Sequence, residues 1–237
     1  MSEVCSNIRP PESNGDLSFI NSSETQWRDV PQQTIKYAPK HETILLSGGL
    51  TILQDQLIQA ALQSLGENYI SIPNPDFESF QKGKAYGNRG QCNPTYFTVG
   101  NLIKYLQNLR DEKALSSEEI VRKYVYITAG GCGPCRFGMY ITEYKKALRD
   151  AGFDGLRITS FDHDKGIFQG DEIDDGILNF TPTFFITLTK SVIIGDIINL
   201  LGYKMRPYEI KAGSVDAAMK VHAALRPGLL KSAVKHV

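Results

Sequence analysis

Short apolar segments alternate with helical segments along most of this 237-residue chain. The predicted strands cover residues 43–46, 69–72, 124–129 and 156–161. Apolar side chains at helical spacing lie between them, over residues 53–65, 98–109 and 137–151. Alternation of this kind is typical of a parallel sheet that is covered by helices on both faces.

The alternating region predicts one Rossmann-like α/β domain over residues 41–237. Residues 1–40 are rich in Ser, Asn, Pro and Gln without sustained periodicity, and we expect a disordered tail there. Residues 204–237 stay apolar-periodic without a closing element, so we expect them to lead towards a C-terminal domain or a partner, with the chain truncated relative to a multi-domain family.

Two further segments have a less obvious structure. Glycines punctuate the stretch from Gly83 to Cys92, which we predict to be an ordered loop. The apolar segment 184–201 is about as long as a helix and is interrupted by Lys190 and Asp196. We expect it to pack inside the domain rather than to span a membrane.

Charge and composition disfavour several functions. The chain has 26 basic and 26 acidic residues, and no basic cluster alternates with aromatic residues, so a nucleic-acid surface is not predicted. The N-terminus has no basic segment leading into an apolar run, and no uninterrupted apolar stretch approaches about 18 residues. We predict a cytoplasmic protein without membrane contact.

Cys132 and Cys135 lie on a turn between a predicted strand and a predicted helix. Amides at a helix N-terminus and the adjacent Arg136 would stabilise thiolates there. The CxxC spacing allows a dithiol redox pair, two zinc ligands or two ligands of an iron–sulfur cluster, while inert buried thiols are the purely structural alternative. Zinc is disfavoured because the chain has no second CxxC and no HxxxH.

A third cysteine, Cys92, lies in the glycine-rich stretch close to Arg89. A lone cysteine is more often a packing residue, but a glycine-rich loop is poor packing material. Three thiolates brought together would hold a [4Fe–4S] cluster with one iron left open.

Three turns should meet at the carboxyl edge of the sheet, where ligands bind in such folds. They are Ser47-Gly48-Gly49, the Cys132 turn and Asp162-His163-Asp164. The glycine turn could approach a phosphate but matches no phosphate-binding motif. His163 could shuttle a proton, although a solvated turn is the commoner explanation. The acidic run 171–175 lacks calcium-loop spacing, which favours a solvated helix start.

Two segments together resemble thioredoxin. Cys132-Gly-Pro-Cys135 is the thioredoxin tetrapeptide, and Thr181-Pro182-Thr183 resembles the turn that faces it there. No Trp precedes Cys132, and the chain has more elements than a thioredoxin domain. This resemblance implies a thiol–disulfide oxidoreductase with Cys132 as nucleophile and Cys135 as resolving thiol.

A longer resemblance covers most of residues 40–225. Its blocks are GNRGQCNPTYFTVGNLIK at 87–104, GGCGPCRFGMY at 130–140 with the following Glu143-Tyr144, and Arg206-Pro-Tyr-Glu209. These blocks resemble 2-hydroxyacyl-CoA dehydratase-like proteins, which are related to or fused with the ATP-dependent activase of those enzymes.

The dehydratase resemblance implies an iron–sulfur cluster, [4Fe–4S] or larger, held by Cys92, Cys132 and Cys135, with Arg136 offsetting its charge. It implies low-potential electron transfer or radical dehydration of a CoA thioester, and Arg206 could contact CoA or form a buried ion pair. The expected partners are an ATP-dependent activase and a second dehydratase-like subunit or C-terminal domain. A structural metal-binding subunit is a third, non-enzymatic alternative.

Overall fold

The computed structural model describes residues 35–129, 139–161 and 181–221. They contain a four-stranded, all-parallel sheet of order β2-β1-β3-β4. The strands are β1 Ile44–Ser47, β2 Tyr69–Ser71, β3 Tyr124–Ala129 and β4 Arg157–Phe161. Leu45 of the central strand β1 pairs with Tyr69 on one side and Val125 on the other. The predicted Rossmann-like α/β fold is confirmed.

Six α-helices cover this sheet in the described residues. They are α1 Ile52–Ser64, α2 Phe77–Tyr86, α3 Asn93–Glu112, α4 Ser117–Lys123, α5 Tyr140–Asp150 and α6 Pro182–Met205. Short 3₁₀ turns lie at Lys40–Glu42 and Arg206–Tyr208, and residues 214–221 are helical. Helices lie on both faces of the sheet, as the alternation of apolar and helical segments predicts.

The strands send alternate side chains to two separate cores, because successive residues of a strand point to opposite faces. Tyr124 and Tyr126 of β3 pack in a core with helices α3, α4 and α5. Val125 and Ile127 pack in the other core with residues of α1 and α6.

The predicted loop from Gly83 to Cys92 is wrong at its beginning, because Gly83 lies inside helix α2. A capping box starts this helix: the Ser79 backbone N–H donates to Asp76 Oδ1 at 2.9 Å, and Ser79 Oγ approaches the Asp76 N–H. A Cβ on Gly83 would overlap the backbone oxygen of Tyr96 in α3. This glycine therefore permits close helix packing, and the loop itself covers only residues 87–92.

The apolar segment 184–201 forms a helix, as its length suggests, but the prediction that it packs inside the domain is wrong. Helix α6 buries a narrow stripe of mainly small residues: Phe184, Thr187, Ser191, Gly195 and Gly202. Ile193, Ile197 and Leu200 on its other side are about half exposed. By length and composition alone, the segment Pro182–Tyr208 could cross a membrane.

The described part of the N-terminal segment contacts the domain. The Tyr37 hydroxyl donates to the Gly155 carbonyl at 2.9 Å, and the Arg157 guanidinium lies 4.4 Å from the centre of the Tyr37 ring. Ala38 is buried. The rest of the predicted tail, residues 1–34, lies outside the described residues, as do residues 222–237.

Candidate functional site

A cavity of about 340 Å³ lies at the carboxyl edge of the sheet. It adjoins the ends of β1 and β3, the neighbouring strands from which the chain continues to opposite sides of the sheet. This topological switch point is where open α/β sheets bind their ligands. The residues lining the cavity include the turn 47–50, helix residues of α1 and α6, and four tyrosines.

The cavity has two chemically different walls. Helices α1 and α6 contribute an apolar wall of Ile58, Leu62, Phe184 and Leu188. Four tyrosines also line the cavity: Tyr69, Tyr126, Tyr140 and Tyr144. The hydroxyl oxygens of Tyr126 and Tyr144 lie 3.3 Å apart, so these two phenols bond each other. Burial raises the pKa of the Tyr126 and Tyr144 phenols, so both stay neutral at physiological pH. The cavity therefore suits an apolar group that carries a hydrogen-bond acceptor.

The glycine turn beside the cavity is organised by Asp55 of helix α1. The Gly49 backbone N–H donates to Asp55 Oδ2 at 3.3 Å, and the Leu50 amide also bonds this carboxylate. Gly49 has φ +111°, a conformation that favours glycine. Burial raises the pKa of the Asp55 carboxyl. A phosphate here would meet a carboxylate that already uses the turn amides, so the weak phosphate prediction gains no support.

Cys92 lies at the N-cap of helix α3 and is exposed. Its Sγ is 3.0 Å from Thr95 Oγ1 and 3.4 Å from the Tyr140 hydroxyl oxygen. The hydroxyls of Thr95 and Tyr140, together with the Thr95 backbone N–H, lower the pKa of the Cys92 thiol to about 7 because they can donate to the thiolate. Cys92 is thus a solvent-accessible thiol biased towards its nucleophilic, metal-binding form.

The loop that carries Cys92 is fastened at several points. The Tyr96 hydroxyl donates to the Asn88 carbonyl at 3.0 Å and accepts from the Gln91 backbone N–H at 3.1 Å. The buried Glu143 carboxylate of helix α5 accepts from Asn88 and Gln91. Because Tyr140 both touches Cys92 and lines the cavity, it connects this loop to the cavity.

Several predicted site residues fall outside the described residues. These are Cys132, Cys135 and Arg136, the Asp162-His163-Asp164 turn and the acidic run 171–175. Of the predicted ligands, the structure therefore places only Cys92. Arg206 forms an exposed ion pair with Asp216 at 2.6 Å, so the suggestion that its ion pair is buried is wrong.

The thioredoxin-like turn is not formed. Pro182 is the first residue of helix α6, Thr181 is its N-cap, and the Thr181 hydroxyl accepts from the Phe184 N–H at 3.2 Å. The described residues contain no cis peptide bond. Thr181-Pro182-Thr183 starts a long helix here, since proline is well tolerated in the first turn.

Three parts of the site were missed by sequence reasoning: the tyrosine wall, Asp55 and the role of Glu143. Tyr140 and Tyr144 are four residues apart on α5 and therefore share a face, which is the signal that could have indicated a common surface. Asp55 and Glu143 look like ordinary surface carboxylates in the sequence. Only the fold shows that both are buried.

The fold and the site define an α/β protein with a parallel sheet, a cavity at the switch point and an accessible thiol beside it. Comparison of the chain with protein-family models, curated proteins and solved structures gives no match. Among the described residues, no group of three or more His, Cys, Asp or Glu side chains could hold a metal ion.

Proposed function

We propose that this chain is an iron–sulfur protein of the 2-hydroxyacyl-CoA dehydratase type whose cluster is held by Cys92, Cys132 and Cys135. The contact between Cys92 Sγ and Tyr140 supports this most directly. Tyr140 follows Cys135 by five residues in the sequence. Cys92 is therefore in contact with a residue that lies close in sequence to the Cys-Gly-Pro-Cys segment.

The chemistry of the donor set agrees with such a cluster. Iron–sulfur clusters are held by cysteine thiolates, and Cys92 is exposed rather than packed in a core. The described residues supply one of the three ligands, and the other two lie in the segment 130–138 outside them. Arg136, in that same segment, would offset part of the cluster charge.

The bound cluster would supply one-electron transfer at low potential. The partners that we propose are an ATP-dependent activase as electron donor and a second dehydratase-like subunit or C-terminal domain. We further propose that the protein is cytoplasmic and contacts neither nucleic acid nor membrane.

The cavity gives the residues of this chain a role in binding a CoA thioester. Its apolar wall of Ile58, Leu62 and Leu188 would bind the acyl group and exclude water. The hydroxyls of Tyr126 and Tyr144 bond each other, and since only one of the two donates in that bond, the O–H of the other could donate to the thioester carbonyl oxygen. Such a bond would orient the acyl group at the edge of the sheet where Tyr140 touches Cys92.

Anaerobic purification followed by iron and sulfide analysis with a visible spectrum tests the proposal. Wild type should hold about four irons per chain, or more for a larger cluster. Cys92→Ala and Cys132→Ala should both lose them. Cys5→Ala is the matched control, because it removes a cysteine that is not among the proposed ligands.

Three results would contradict the proposal. An iron-free wild type whose Cys132/Cys135 pair titrates reversibly as a disulfide would favour the thiol–disulfide oxidoreductase instead. Iron that is retained in Cys92→Ala would show that Cys92, the one proposed ligand among the described residues, does not hold the cluster. Unfolding of each cysteine variant, followed by circular dichroism, would favour a structural metal site.

A further inference from the structure

The Glu143 carboxylate is buried at the boundary between helix α5 and the loop 87–92, with a relative exposure of 5%. It accepts hydrogen bonds from the Asn88 backbone N–H, from Asn88 Nδ2 at 2.8 Å and from Gln91 Nε2 at 3.4 Å. All three donors belong to the short loop that ends at Cys92.

Burying a carboxylate is costly unless donors replace its water. Hydrogen bonds to a charged acceptor are among the stronger ones in proteins, and removing the acceptor leaves its donors without a partner. Helical backbone bonds reach only the ends of the loop in the described residues, where the Gly87 N–H donates to the Gly83 carbonyl and the Cys92 carbonyl accepts from the Thr95 N–H; residues 88–91 belong to no helix or strand. Glu143 is therefore a side-chain anchor of this loop, beside the Tyr96 hydroxyl that bonds the Asn88 carbonyl and the Gln91 N–H.

The same turn of α5 also touches the thiol. Tyr140 lies three residues before Glu143, so both side chains project from one side of the helix. Tyr140 contacts Cys92 Sγ, while Glu143 holds the residues that precede Cys92. Helix α5, the next helix after the Cys-Gly-Pro-Cys segment in the described residues, thus contacts the Cys92 loop through both Tyr140 and Glu143.

We propose that Glu143 is a positioning residue, whose buried carboxylate holds the loop 87–92 so that the Cys92 thiol stays in contact with the Tyr140 hydroxyl. The effect of Glu143 on an iron–sulfur cluster rests on the proposed function. The requirement for the Glu143 carboxylate in holding the loop does not depend on iron.

Glu143→Gln tests this role because it keeps the size of the side chain, removes its charge and turns an amide NH₂ towards the donors of the loop. Peptide-resolved hydrogen exchange should show amides of 87–92 exchanging roughly tenfold faster or more, the factor for one lost charge-assisted bond. Exchange in β1 and β3 should stay unchanged. Asp150→Asn is the matched control, since it neutralises an exposed carboxylate on the same helix.

A second readout addresses the cluster itself. In anaerobically purified, folded protein, Glu143→Gln should hold less than about half of the wild-type iron, or show an altered cluster spectrum. Asp150→Asn should keep the wild-type iron and spectrum. A merely structural role for Glu143 would lower the thermal midpoint without changing the spectrum of the folded protein.

Unchanged loop exchange in Glu143→Gln overturns the inference, as does an unchanged cluster in protein that binds iron. If Glu143→Gln does not fold, Asn88→Ala removes a donor from the loop side, and wild-type exchange and spectrum in that variant would count equally against it. An iron-free wild type defeats the proposed function alone, and the exchange measurement still decides the role of Glu143.

Discussion

The two faces of the sheet are covered in different ways. The face packed by α3, α4 and α5 belongs to a core of 19 buried residues, whereas the core between the sheet, α1 and α6 has 7 in the described part of the chain. Hydrophobic burial is the main source of folding stability. We therefore expect the face packed by α3, α4 and α5 to contribute most of the folding stability. This holds although the sequence of α6 is more hydrophobic than that of α3.

Polar contacts and small residues, as well as core packing, attach α6 to its face. Asp196 Oδ1 accepts from Gln54 Nε2 at 2.7 Å, and Asn199 Nδ2 donates to the Thr51 hydroxyl at 2.8 Å. Gly195 allows the Gln54 side chain to lie against the helix. The contrast shows that an apolar segment is not necessarily a core segment.

The largest difference between the faces should appear at their glycines. Gly100 in α3 lies against the backbone of α2, and a Cβ there would overlap the Ser79 carbonyl oxygen. Gly100→Ala should therefore cost about 4 kcal/mol or more, since backbone cannot move aside as a side chain can. Chemical denaturation followed by circular dichroism measures this loss.

Gly202 in α6 provides the matched control. The three atoms nearest to a Cβ at Gly202 all belong to the flexible Met219 side chain, at ordinary contact distances of 3.4 to 3.7 Å. Gly202→Ala should be neutral or stabilise the protein by up to about 1 kcal/mol, because alanine favours helix more than glycine. Equal losses in the two variants would show that the faces do not differ as described.

Leucine and isoleucine truncations give the next largest contrast. Leu102 in α3 is fully buried, so Leu102→Ala should lower the free energy of unfolding by about 3 kcal/mol. Ile197 in α6 is 53% exposed, and Ile197→Ala should change it by less than about 0.5 kcal/mol. A loss in Ile197→Ala close to that of Leu102→Ala would mean that this side of α6 is covered in solution.

Much of the fold could be predicted because its signals are local. Alternation of strands and helices requires only the spacing of apolar residues, and the strands of the sheet were found from it. Helix α2 was missed because a glycine such as Gly83, judged from the sequence alone, indicates a helix break. Here Gly83 lets α2 pack against the backbone of Tyr96 in α3, a contact that only the fold shows. Partial burial of α6 was missed because spacing shows which residues are apolar, not how many neighbours are available to cover them.

The site could be predicted less completely for the same reason. The glycine-rich context of Cys92 favours a functional thiol over a packing residue, and the chemistry of that thiol follows from residue type. The cavity is lined by Tyr69 of β2, Tyr126 of β3 and Tyr140 of α5, which are far apart in the sequence. No local sequence pattern predicts that these three side chains line one cavity. Glu143 is missed because burial and partners on a distant loop distinguish it from any surface glutamate.

A smaller effect should follow from removing the polar link between α1 and α6. Asp196→Ala leaves the Gln54 amide without this acceptor and should cost about 1 kcal/mol. Hydrogen exchange should accelerate in α6 but not in α3, because the two helices belong to different cores. Lys190→Ala, at an exposed position on α6, should leave exchange unchanged. Equal acceleration in both helices would mean that the faces unfold as one unit.

The smallest effect should be an acid dependence at the start of α2. The Lys104 ammonium, 2.6 Å from Asp76 Oδ2, and the Ser79 N–H hold the pKa of the Asp76 carboxyl well below its usual range. Because the folded pKa is depressed, this stabilisation is complete above the unfolded value of about 4 and is lost as the pH falls through the folded value.

Asp76→Asn should therefore be less stable than wild type at neutral pH, and the gap should narrow below about pH 4. Urea midpoints of both proteins at pH 7 and pH 3 measure it. Asp216→Asn removes an exposed ion pair near α6 that caps no described helix in this way, so its effect at pH 7 should be smaller. A gap for Asp76→Asn that stays constant down to pH 3 would show that the difference does not come from the Asp76 charge. Equal stability of the two proteins at pH 7 would show that an uncharged cap is sufficient, since asparagine and aspartate cap helices about equally well.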